Sequence, residues 1–193
     1  MARTESTMLA LGTTAPDFRL PEPATGREVT LSDFQNTKAL LVAFICNHCP
    51  YVKHLRRDLA LFGKQFLPRG IQVVAINSND AAHYPDDSPE KMIEEIGVAG
   101  YDFPYLYDED QSTAIAYRAV CTPDFFLFDG DRKLVYRGRF DASTPGNNLP
   151  ITGADLRAAC DNLLAGQAIS GEQYPSVGCG IKWKPGTRPS SFI

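Results

Sequence analysis

Lys38-Ala39-Leu40-Leu41-Val42-Ala43-Phe44-Ile45-Cys46-Asn47-His48-Cys49-Pro50 is the stretch on which the fold turns. Ala39 to Ile45 is apolar without alternation, as expected of a strand covered on both faces. Two cysteines separated by two residues follow at once. Then Leu55, Leu59, Phe62 and Phe66 recur at steps of three or four, which predicts one buried face of a helix. Pro68 and Gly70 end it. Ile71-Gln72-Val73-Val74-Ala75-Ile76 reads as a second buried strand. Strand, helix and strand make a crossover unit, whose strands run parallel and whose connection is right-handed. The cysteines therefore sit where a buried strand hands over to a helix.

Working outward, Asn77 to Ser88 is a polar loop, and Ser88 before Pro89 predicts a helix N-terminus running to about Ile96. A further helix is expected over Gln111 to Ala119. Phe125 to Phe128 and Leu134 to Arg137, separated by Asp129-Gly130-Asp131, read as a hairpin. Thr152 to Ala165 reads as a closing helix. The last 28 residues hold five glycines and three prolines, and read as an irregular tail. The expected organisation is one domain over 1–165 with a tail, 166–193, packed on it. This order of elements is the thioredoxin arrangement, an α/β fold with a mixed central sheet flanked by helices. Ala15-Pro16-Asp17-Phe18 and Leu31-Ser32-Asp33-Phe34 lie in an N-terminal extension.

Composition bounds the function. The chain has 193 residues, 44% hydrophobic and 22% charged, and a net charge of -4, which disfavours disorder and a nucleic-acid or anionic-membrane partner. The N-terminus lacks the apolar run of a signal peptide, and no stretch reaches the roughly 20 apolar residues of a membrane helix. A cytoplasmic protein is expected. Five cysteines, an odd number, argue against a structural disulfide framework.

The start of a helix carries about half a positive charge and unpaired N–H groups, and both stabilise a thiolate. Cys46, at the mouth, is the expected nucleophile. Cys49, one turn inside, is the expected resolving thiol. A protonated His48 adds positive charge beside Cys46, and Pro50 removes a donor where donors are unpaired anyway. No cofactor is expected. The partners would be protein thiols and disulfides with a cellular reductant. The same CxxC is also half of a zinc site, which His48, His54, Cys121 and Cys179 are candidates to complete.

In the thioredoxin arrangement a cis-proline faces the CxxC. Thr122-Pro123, just before the strand Phe125 to Phe128, is the candidate. Thr122 should then touch Cys46 and leave its N–H and C=O open to an extended substrate segment. Cys121 and Cys179 are each a candidate third redox thiol or a small buried residue. Cys160 reads as buried and inert. Arg137, Arg139 and Asp141 read as a solvated strand edge, His83 as exposed and Trp183 as a tail anchor.

The chain resembles the redoxin group of the thioredoxin superfamily, related to alkyl hydroperoxide reductase and thiol-specific antioxidant proteins. More closely, it resembles bacterial thioredoxin-like proteins with Cys-Asn-His-Cys-Pro, here Cys46 to Pro50. Ala75 to Asp80, Tyr84 to Ser88, Cys121 to Asp124 and Gly178 to Lys184 also match, so the likeness spans about residues 15 to 185. It implies the fold and redox chemistry. Two departures stand out. A peroxidase motif would need Val42 to be proline and Cys46 to be Thr or Ser. Thioredoxins also bury an aspartate under the CxxC, and Leu40 to Ile45 carries no carboxylate. Two other readings of the site remain. One is a copper or zinc chaperone using Cys46, Cys49 and a histidine, with His83 the distal candidate. The other is a thiol peroxidase.

Overall fold

The computed structural model describes residues 3–190; Met1, Ala2 and the last three tail residues lie outside them. Ten strands and four α-helices follow in order: β1 Arg3–Glu5, β2 Arg19–Glu22, β3 Arg27–Thr30, β4 Ala39–Phe44, α1 Pro50–Phe66, β5 Ile71–Asn77, α2 Pro89–Ala99, β6 Tyr105–Tyr107, α3 Ser112–Tyr117, β7 Cys121–Thr122, β8 Asp124–Phe128, β9 Leu134–Gly138, α4 Ala154–Leu164 and β10 Val177–Gly180.

The apolar run that became β4 lies at the centre of a five-stranded sheet ordered β6-β5-β4-β8-β9. It pairs parallel with β5 and antiparallel with β8, and β8 and β9 form the expected hairpin. Every residue of β4 is buried because both faces are covered. Leu41 and Ala43 face the core that α1, α2 and α4 complete with Leu55, Leu59, Phe62, Phe66, Met92 and Leu156. Leu40, Val42 and Phe44 face a second core with Tyr117 of α3 and with Phe18, Leu20, Val29 and Phe34 of the N-terminal extension. Each such side chain contributes about 1.5–3 kcal/mol on burial, so the sheet is held from both sides.

Helix signals were met in detail. Pro50 and Pro89 each stand at the start of their helices, and Ser88 accepts from the Lys91 N–H. Gly70 and Gly100 take the left-handed conformation that ends a helix. The helix expected over Gln111 to Ala119 is shorter because Arg118 is left-handed at its end and so, at its start, is Gln111. Its buried amide instead donates to the carbonyls of Ser78 and Lys182 and accepts from the Lys184 N–H, which ties down the tail.

The tail differs from the irregular segment expected. Its Val177–Gly180 is a strand, paired on one side with β7 and on the other with β1. Trp183 packs against the second core as the anticipated anchor. A second correction concerns the supposed solvated edge. Arg137 and Asp124 are both 0% exposed and form an ion pair at 3.0 Å, with the guanidinium over Phe126 and donating to the Arg118 carbonyl. Asp141 is also buried, where it accepts from the N–H groups of Ser143, Thr152 and Gly153 at the start of α4. Only Arg139, paired with Asp155, is partly exposed as expected.

Candidate active site

Cys49, the N-cap of α1, is extended (φ -64°, ψ 122°), and Pro50 opens the helix. The CxxC therefore precedes the helix rather than running one turn into it. Cys46, Asn47 and His48 form the approach from β4. The Thr122-Pro123 bond is cis, and Thr122 meets both sulfurs: its hydroxyl lies 3.3 Å from Cys46 Sγ, and its carbonyl accepts from Cys49 Sγ at 3.2 Å.

Neither sulfur is at the mouth. Cys46 is 1% exposed and Cys49 0%, which corrects the expected order of an open first thiol and a buried second one. The tail also closes the edge expected to be open to a substrate segment. Thr122 does not present its backbone to solvent, because β10 pairs there with Cys179 opposite Thr122 and Gly180 opposite Cys121.

Burial does not leave the pair at ordinary acidity. The Cys46 thiol is pushed well up, first by desolvation, then by its hydrogen bond to Cys49 and by the Asp87 carboxylate. Cys49 is lowered to about 5, first by the hydrogen bond from Cys46, with Cys179 adding to it against desolvation. The Thr122 carbonyl pulls the other way, since at 3.2 Å it suits a protonated Cys49, while the Thr122 hydroxyl suits a thiolate on Cys46. Common to both arrangements is the first ionisation of the pair. It falls below the ordinary cysteine range because the remaining thiol stays to donate to the thiolate.

The carboxylate missing from β4 comes from elsewhere. Asp87, in the turn before α2, lies fully buried beneath the Cys46–Cys49 loop. Its Oδ1 accepts the N–H groups of Asn47 (2.7 Å) and His48 (3.3 Å), and its Oδ2 meets His48 Nδ1 (2.6 Å) and Asn79 Nδ2 (2.7 Å). Desolvation pushes its pKa up, but the bonds from His48 and Asn79, with the Asn47 N–H, outweigh that and leave it lowered. Tyr84 stacks on His48, with ring centroids 5.7 Å apart, and Tyr105 donates to the Asn47 amide. Sequence reasoning passed over Asp87. A signal existed: β4 and β5 are parallel neighbours, so the loops that follow them must border each other, and Asp86-Asp87 is in the second.

Among the described residues, the cluster of metal-ligand type is Cys46, His48 and Asp87, with ligand atoms within 4.8 Å of one another. The chaperone reading needed Cys46, Cys49 and a distal histidine instead. His83 is exposed and paired with Asp80, and His54 meets Ser143. Val42 is buried in mid-strand away from the sulfurs, in the second core. Cys121 turns its thiol toward the Pro123 carbonyl. Cys160 is buried in α4, as expected. Cys179 lies against Cys49.

A CxxC between a buried strand and a helix, facing a cis-proline, defines a thioredoxin-fold protein with a candidate dithiol. The thioredoxin domain of a thiol-disulfide oxidoreductase from Bacteroides vulgatus shares the fold, with a TM-score of 0.58 at 22% identity over 67% of this chain and 89% of that one. The profile of the Redoxin family matches residues 10–156. The thiol-disulfide oxidoreductase ResA of Geobacillus kaustophilus is 32% identical over 144 residues, 70% of this chain and 74% of that protein. The crystal structure of an uncharacterized conserved protein from Geobacillus kaustophilus is 50% identical, with a TM-score of 0.95 over 97% of this chain and 99% of that one. The chain belongs to the redoxin family. It is an oxidoreductase whose chemistry is thiol–disulfide exchange.

Proposed function

We propose that Cys46 is the attacking thiol toward disulfides of protein partners and that Cys49 resolves the mixed disulfide. The observation that carries this is the split of Thr122 between the two sulfurs. Its hydroxyl is placed to donate to a Cys46 thiolate, and its carbonyl holds the proton of Cys49. The Cys46 thiolate attacks one partner sulfur, a Cys46–partner disulfide forms, and the other partner sulfur leaves as a thiolate. Cys49 then gives up its proton to that departing group and attacks Cys46 Sγ. The second partner thiol is released and the Cys46–Cys49 disulfide is left. A cellular reductant returns the dithiol.

A cleft of about 460 Å³ beside the cis-proline, lined by Tyr51, Pro123, Ser143 and Val177 among others, gives a partner segment a place to lie. Asp87 is a positioning residue, since it holds the N–H groups of Asn47 and His48 and so the shape of the loop. The odd cysteine count, which speaks against a structural disulfide framework, favours a reducing compartment such as the cytoplasm. The test is trapping. Cys49→Ser should accumulate partners disulfide-bonded to Cys46, and Cys46→Ser should accumulate none. The opposite pattern would reverse the two roles.

A further inference from the structure

We infer that Cys179 is a third thiol of the active site, which exchanges with Cys49 so that the oxidised protein also carries a Cys49–Cys179 disulfide and a released Cys46 thiol. This rests on the dithiol reading above and adds a member to it.

The placement begins with the sequence Gly178-Cys179-Gly180. In β10, Cys179 stands opposite Thr122, the residue that touches both Cys46 and Cys49. Gly178 permits this approach. A Cβ there would fall 1.9 Å from the Thr122 carbonyl oxygen and 3.0 Å from Pro123 N, so no side chain fits and the strand is pressed onto the proline turn. The strand is also fixed at both ends. The Ser6 N–H donates to the Ser176 carbonyl, Ser176 Oγ donates to the Gly138 carbonyl, and the Lys182 N–H donates to Asn79. Cys179 is buried in the same core as Cys46 and Cys49, with its thiol and its N–H directed at Cys49. Cys121, on the adjacent strand, faces the Pro123 carbonyl instead.

The step balances within the chain. Cys179 attacks Cys49 Sγ of the Cys46–Cys49 disulfide, the Cys49–Cys179 bond forms, the Cys46–Cys49 bond breaks, and the proton of Cys179 goes to Cys46. No outside oxidant or reductant is consumed. Oxidation also prepares the attacker. In the dithiol form Cys179 is pushed up to about 12, by desolvation first and then by its hydrogen bond to Cys49 and the Cys49 charge. Once Cys49 is in a disulfide, that hydrogen bond is gone and Cys49 can carry no charge. The protein would thus store one two-electron oxidation in two interchangeable bonds, one of which leaves Cys46 reduced.

Reduced Cys46→Ser protein treated with glutathione disulfide tests this. It should lose two hydrogens in mass, retain no glutathione, and yield a peptide linking Cys49 to Cys179. In Cys46→Ser/Cys179→Ser the glutathione adduct on Cys49 should persist at least about tenfold longer, because an adjacent intramolecular thiol outcompetes one in solution. Should the variants fold poorly, acid-quenched peptide mapping of oxidised wild-type protein should recover the Cys49–Cys179 link beside Cys46–Cys49. If wild type forms Cys46–Cys49 while Cys46→Ser keeps glutathione on Cys49, the inference fails and the dithiol reading stands. If wild type forms no Cys46–Cys49 disulfide, both fail.

Discussion

Replacing Asp87 by Asn should make the Cys46–Cys49 couple more oxidising. A carboxylate oxygen of Asp87 lies within 4.8 Å of Cys46 Sγ and is one of the causes that hold the Cys46 proton in place. At an effective dielectric of about 20, two unit charges at that distance repel by about 3.5 kcal/mol. That equals about 2.5 pKa units, or about 75 mV for a two-electron couple. His48 Nδ1 sits 2.6 Å from the same carboxylate and, when charged, cancels part of the field. We therefore expect the Cys46 pKa to fall by about one to two units and the potential to rise, reaching about 30–60 mV at a pH above that ionisation. The sign follows from the reduced state: removing a like charge favours the thiolate, and a more stable reduced form is a stronger oxidant as its disulfide. Asn keeps an oxygen for the Asn47 N–H but turns an amide donor toward His48 or Asn79. A stability loss of about 1–3 kcal/mol should accompany the change. The assay is equilibrium with glutathione buffers, together with the pH dependence of Cys46 alkylation. An unchanged potential with an unchanged or raised Cys46 pKa would refute the argument.

Two further outcomes follow. Gly178→Ala should force β10 off Thr122, since its Cβ would meet the carbonyl at 1.9 Å. It should cost at least about 1–3 kcal/mol in denaturant unfolding and speed alkylation of the dithiol; unchanged stability and unchanged alkylation would contradict the packing described. The potential should also fall with pH by about 60 mV per unit below the first ionisation of the reduced pair, when two protons accompany two electrons, and by about 30 mV per unit above it, when one does. The break should lie below the ordinary cysteine range, because the thiol that remains donates to the first thiolate. Since that folded-state pKa is below the unfolded value of about 8.5, the reduced form gains stability as pH rises from the first to the second and loses it as pH falls through the folded value. A break near 8.5 would place the pair at ordinary acidity.

The parts legible in the sequence were local. The uninterrupted run of β4, the three-and-four spacing of α1, Ser88-Pro89 and the Asp129-Gly130 turn each have a short-range cause, and the structure bears out each. Pro123 could be placed because the order of elements puts it opposite the CxxC. What escaped depended on contacts between distant segments. Asp87 reaches the CxxC only because β5 lies beside β4. Arg137 read as surface because arginine seldom lacks solvent, yet Asp124 and Phe126 on the neighbouring strand enclose it. The tail strand has too few apolar residues to show a period, and its two glycines read as a loop until Thr122 supplied the reason for Gly178.

The central claim is that Cys46 and Cys49 form one reversible two-electron couple. Equilibrating the protein across glutathione redox buffers, quenching with acid and mapping the disulfides by mass spectrometry measures it directly. A single cooperative transition is expected, with the Cys46–Cys49 bond appearing as the dithiol disappears and with Cys121 and Cys160 alkylated throughout. Stepwise glutathione adducts on separate cysteines, with no bond between Cys46 and Cys49 at any ratio, would contradict it.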